Sequence, residues 1–138
     1  MKKMVSVAAA TVMAGMGVLA MGANANAVDV RPLSATGCTG NAGSTDGSGS
    51  VCITVKGTGL RVDSVSLSKK SNNRAWKDYA KIDFTDGSAG FQSATHSVAR
   101  TVTKTVGWDP LSNAENNSKV CGYWHDFPGT KACVTIHK

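Results

Sequence analysis

Histidine is scarce in this chain, and none of the three, His96, His125 and His137, belongs to the H-E-x-x-H pattern of a zinc hydrolase. The four cysteines include no C-x2-C or C-x4-C pair, so the usual structural zinc frames are excluded. No G-x-S-x-G occurs, and Gly57-Thr58-Gly59 is not followed by a helix that would hold a dinucleotide phosphate. Ser66-Leu67-Ser68-Lys69 matches S-x-x-K, a pattern that needs serine and lysine one helical turn apart. Here it falls at a strand end, where those two positions point to opposite faces. The acids Asp78, Asp83, Asp86, Asp109 and Glu115 are dispersed, with no pair set to flank a glycosidic bond. Asp46 is the one carboxylate among its glycines, too little oxygen charge for calcium. Adjacent strand residues point apart, so His125-Asp126 is not expected to form an oriented base. No catalytic residue, metal or cofactor is expected, and the protein is read as not an enzyme. No segment carries a capped apolar stripe at helical spacing, which leaves an all-β chain.

What is present begins with residues 1–27. Lys2 and Lys3 precede an apolar run from Met4 to Met21, and Ala25-Asn26-Ala27 forms a small-x-small cleavage site. This reads as a signal peptide, with export to a compartment where cysteines pair and with Val28 as the mature terminus. The localisation expected is secreted, with no membrane association after cleavage. The remaining chain is long enough for one small core. Removing Lys2 and Lys3 from the fifteen bases leaves thirteen against nine acids, a net charge of +4. Those bases are scattered from Arg31 to Lys138 rather than gathered on one element, which argues against nucleic acid.

The segment Val28-Asp29-Val30-Arg31-Pro32-Leu33 alternates like a strand, yet Pro32 cannot donate to a ladder. It is an edge strand or a free arm, and residues 28–37 are assigned to an N-terminal arm ahead of a single domain at 38–138. Between Cys38 and Cys52 the chain is dominated by Gly, Ser, Thr and Asn, a flexible loop by composition. Val51, Ile53 and Val55 define the first clear strand, which a turn at Gly57-Thr58-Gly59 closes. Leu60 and Val62 are out of phase with Val65 and Leu67, which predicts a β-bulge near Asp63-Ser64.

Lys69 to Arg74 reads as a polar turn, and Trp76, Ala80, Ile82 and Phe84 as one face of a strand that Asp86-Gly87 ends. The β-branched stretch from Ser97 to Trp108 is expected to be a strand, and Val120–Trp124 with Ala132–Ile136 a final pair. Short strands at regular spacing indicate a small antiparallel β-sandwich or barrel with two disulfides.

Four cysteines permit three pairings. A hairpin centred on Phe127 sets Cys121 opposite Cys133, close enough to bridge, and leaves Cys38 for Cys52. Each loop is of a length that chain entropy values at about 3 kcal/mol. The same hairpin sets Tyr123 opposite Lys131, and of the adjacent Tyr123 and Trp124 only one can face inward. Tyr123, Trp124, Phe127 and Lys131 are therefore candidate contact residues, together with Val28, Val30 and Leu33 of the arm.

With the run Val51-Cys52-Ile53-Thr54-Val55-x-Gly57-Thr58-Gly59-Leu60 and the terminal segments Lys119–Trp124 and Ala132–Lys138, the chain resembles small exported β proteins of filamentous actinobacteria. One such group is the small linking subunit of umbrella toxin particles. The resemblance lies in size, export and β pattern, and it implies an adaptor. The function expected is a non-enzymatic interaction protein, an adaptor or structural subunit whose partner is another extracellular protein. The alternatives are a small protease inhibitor acting through the 124–131 tip, and a carbohydrate or cell-wall binding module.

Overall fold

A computed structural model describes residues 32–138. The expected signal peptide at 1–27 and the arm residues Val28, Val30 and Arg31 lie outside the described residues. Within them the fold is all-β, with nine strands, no helix and two disulfides.

The strands are β1 (Pro32–Gly40), β2 (Ser50–Thr58), β3 (Arg61–Lys70), β4 (Trp76–Phe84), β5 (Phe91–Val98), β6 (Thr103–Trp108), β7 (Ser112–Asn113), β8 (Lys119–Trp124) and β9 (Ala132–Thr135). They form two antiparallel sheets. One runs β1-β2-β3-β6, with β7 also on β3; the other runs β5-β4-β8-β9. Their facing sides make one core.

Period-two patterning builds that core. Val51, Ile53 and Val55 from β2, and Val65 and Leu67 from β3, meet Ala80 and Ile82 from β4 and Val120 from β8. Full burial of side chains of this size contributes about 1.5–3 kcal/mol each. Trp76 and Trp124 pack edge to face at 4.6 Å.

The phase change in β3 is a bulge. Lys56 pairs with Ser64 but Gly57 with Val62, so Asp63 is the extra residue and both Val62 and Val65 point inward. The turn from β2 to β3 is the two residues Gly59 and Leu60, with Gly59 at φ +56°, a conformation that costs glycine little.

Three expectations are corrected. Pro32 to Gly37, assigned to the arm, pairs with β2 residue for residue from Pro32↔Thr58 to Gly37↔Ile53. Pro32 is tolerated because β1 is an edge strand and the proline opens it. The Gly/Ser loop shrinks to residues 41–49 and is tied down: Asn72 N–H donates to Ala42 O at 2.7 Å and Arg74 Nη1 to Asp46 O at 3.3 Å. The stretch from Ser97 to Trp108 is two strands in different sheets. Val98 is needed in the core beside β4 and Val106 beside β3, and a turn with Thr101 at φ 70° carries the chain between them.

Candidate interaction face

The disulfides are Cys38–Cys52 and Cys121–Cys133. Each joins directly paired residues of neighbouring strands, and the last hairpin has the register centred on Phe127, with Val120↔Val134 and Cys121↔Cys133. Two disulfides fit an oxidising compartment. Val120, Gly122 and Trp124 face inward, which sends Cys121 and Tyr123 to the outer side of the four-stranded sheet.

On that outer side the pairing stacks a row of polar and aromatic groups. Lys81 lies opposite Tyr123 and Asp83 opposite Cys121. Beyond the end of the ladder, His125 N–H donates to Tyr79 O at 3.0 Å, so the His125 and Tyr79 rings stack at 4.5 Å and 20°. Lys131 reaches across with Nζ 4.8 Å from the Tyr123 ring and 3.3 Å from Asp83 Oδ2. Lys81 Nζ stands 6.0 Å from the Tyr79 ring. Partial burial, with the Asp83 carboxylate beside it, pushes the Tyr123 phenol upward, so it stays a neutral hydrogen-bonding group. The result is a face of flat rings and ammonium groups held on strand backbone.

The structure thus brings Tyr123 and Lys131 together and separates them from the other candidates. Trp124 is 0% exposed and belongs to the core, a correction to its place as a contact residue. Leu33 is half-buried against the core and is not a free anchor. Phe127 turns inward over the end of the sandwich. Val28 and Val30 lie outside the described residues. The sequence reading missed Tyr79, Lys81 and Asp83 as members of the face, although their odd-numbered alternation with Ala80 and Ile82 marks them as outward.

It also missed the end of the sandwich beneath Phe127. Lys69 continues the inward row of Val65 and Leu67 and is 0% exposed. Its Nζ lies 3.8 Å from the Phe127 ring centroid, 4.6 Å from Trp76 and 5.8 Å from Trp124, with no hydrogen-bond partner among the described residues. Removal from water pulls its pKa down to about 8, against the opposing attraction of Asp78, Asp126 and Asp46. Asp78, 3% exposed, accepts from Tyr79 N–H at 2.7 Å and from Asp126 N–H at 3.0 Å. This carboxylate fastens the chain leaving β8 to β4.

Contrary to the strand-neighbour argument, His125 Nδ1 and Asp126 Oδ1 are 3.1 Å apart, because the chain turns after Trp124. Ligand atoms of Asp78, His125 and Asp126 lie within 4.8 Å of one another. Both Asp78 oxygens already carry backbone hydrogen bonds, and the Lys69 ammonium is attracted to the same carboxylates, so their arrangement is accounted for by folding. Comparison with protein-family models, with curated proteins and with solved structures finds no match for the chain.

Proposed function

We propose that the chain is a non-enzymatic secreted interaction protein, an adaptor or structural subunit of an extracellular assembly such as a bacterial toxin particle. Its contact surface for another extracellular protein is the outer face of the four-stranded sheet. The observation that carries this reading is the row of Tyr79, His125 and Tyr123 interleaved with Lys81 and Lys131. Aromatic rings with few rotatable bonds lose little entropy on binding, and tyrosine is common among the residues that dominate binding energy. The lysines suit a partner with an acidic surface.

The inhibitor alternative is less favoured, since a protease needs a protruding side chain at the 124–131 tip. Trp124 is in the core and Phe127 covers Lys69. The test is affinity capture from culture fluid with the wild-type protein and with the Tyr79→Ala/Tyr123→Ala double variant. A partner protein captured by the first and lost by the second, with the fold unchanged, is the expected result. A partner retained at full affinity by the variant overturns the assignment of the face, and capture of glycan in place of protein overturns the adaptor reading.

A further inference from the structure

Among the described residues the two sheets have four edges, formed by β1, by β6 with the two-residue β7, by β5 and by β9, and three of them are closed to further pairing. β1 contains Pro32, and its Gly37 packs against the Cys133 carbonyl of β9 so closely that a Cβ has no room. The same contact covers β9, which is only four residues long. β5 carries a bulge, pairing Thr95 with Tyr79 and then Gln92 with Lys81, while Ser93 Oγ accepts the Ala80 N–H at 2.9 Å. Short length, proline, bulges, charged side chains and covering are the usual means by which edges avoid other chains.

β6 carries no proline and no bulge; of the devices that guard edges it has the inward-facing Lys104 and a contact with β5 at one side. Its six residues pair in unbroken register with β3, from Lys70↔Thr103 to Val65↔Trp108, and among the described residues its other side pairs with no strand. Exposed apolar side chains flank it: Val102, 48% exposed, immediately before, and Leu111, 63% exposed, shortly after. Both ends also hold a non-glycine residue in the left-handed region, Thr101 at φ 70° and Leu111 at φ 46°. For a bulky leucine this conformation is costly, and here it holds the side chain in solvent.

We infer that the free edge of β6 is a self-association site that takes a second copy of this chain, β6 against β6, extending the sheet across a two-fold axis. Antiparallel pairing about an axis normal to the sheet keeps inward residues on the inward face, so Lys104, Val106 and Trp108 meet their counterparts. The register with Val106 on the axis pairs complementary groups at two steps on each side. Lys104 of each copy lies against Trp108 of the other, ammonium to indole, and the Thr103 hydroxyl faces the Asp109 carboxylate. Thr105 meets Gly107, and Val102 meets Pro110 beside Leu111. The neighbouring symmetric registers set Lys104 against Val106 or against Pro110 and lose this match. Lys104 has a further reason to turn toward a partner, since it sits directly opposite the buried Lys69 on the same face.

The site is separate from the outer face of the four-stranded sheet, so its test is independent of the proposed adaptor contact. Light scattering coupled to size exclusion, run on the purified protein over a dilution series, is expected to show twice the chain mass at high concentration and the monomer on dilution. Thr105→Lys with Gly107→Lys places four ammonium groups around the axis on the exposed side. A Cβ at Gly107 meets nothing nearer than Val65 O at 3.9 Å, so the fold accommodates it. This variant is expected to remain monomeric with an unchanged unfolding midpoint, and the exposed Val102→Asp to weaken the dimer at least tenfold. A wild-type protein that is monomeric at every concentration overturns the proposal, as does a dimer that either variant leaves intact.

Discussion

Replacing Lys69 by methionine tests the energetics of the sandwich end directly. The lysine side chain is fully covered, its ammonium has no hydrogen-bond partner among the described residues, and burial lowers its pKa from 10.5 to about 8. In the unfolded chain the group titrates near its ordinary value, so between pH 8 and 10.5 the unfolded state holds more protons than the folded one. Stability therefore rises with pH through that window and is missing below it. Each tenfold change in proton affinity is worth about 1.4 kcal/mol, so the charged lysine costs the fold about 3 kcal/mol at neutral pH relative to its neutral form. The contacts with Phe127, Trp76 and Trp124 are retained in part by methionine, which is unbranched, one heavy atom shorter and packs well on aromatic rings.

Lys69→Met is accordingly expected to be more stable than the wild type at pH 7, by about 2–3 kcal/mol. The gap should close as pH approaches 10.5. Urea unfolding of both proteins at steps between pH 6.5 and 10.5 measures it, and taking the difference cancels the lysines and tyrosines common to both. The absence of a free cysteine keeps thiol-initiated exchange from interfering. A gap that stays constant across the range, or a variant less stable at pH 7, refutes the reasoning.

Phe127→Ala uncovers the same amine, and the Lys69 titration followed by NMR is expected to move up toward the ordinary lysine value. Asp78→Asn weakens the acceptor for two backbone donors and removes a charge that Lys69 faces; a loss of about 1–3 kcal/mol is expected, with faster amide exchange at Tyr79 and Asp126. Gly122→Ala drives a methyl group into Leu67 Cδ1, with Ile53 Cδ1 at 3.3 Å, and is expected to cost about 1–3 kcal/mol in denaturant unfolding. Replacing Cys121 and Cys133 together by alanine opens a loop of sequence separation 12 and should lower stability by about 3 kcal/mol, seen as a lower urea midpoint with the β-type circular dichroism retained.

Local pattern was enough to read much of the fold. Alternation at Val51, Ile53 and Val55 marks an inward face because successive strand residues point to opposite sides, and the broken phase between Val62 and Val65 places an extra residue near Asp63-Ser64, which the register identifies as Asp63. Symmetry about Phe127 likewise determines which late cysteines meet, since a hairpin register depends only on where the turn is centred. Decisions that depend on the second sheet were not legible. Whether Tyr123 or Trp124 points inward follows from the pairing of β8 with β4, which sets Trp124 beside Ala80. The division of Ser97–Trp108 exists because Val98 and Val106 serve opposite sheets, a fact invisible in a continuous β-branched run. Lys69 reads as the start of a polar turn, yet parity with Leu67 carries it inside. Only the aromatic rings of Trp76, Trp124 and Phe127, arriving from other strands and from the last hairpin, make that interior tolerable for an ammonium group. The outer face too is a tertiary product: Tyr79, Tyr123 and Lys131 are distant in sequence and become neighbours because β4, β8 and β9 lie side by side.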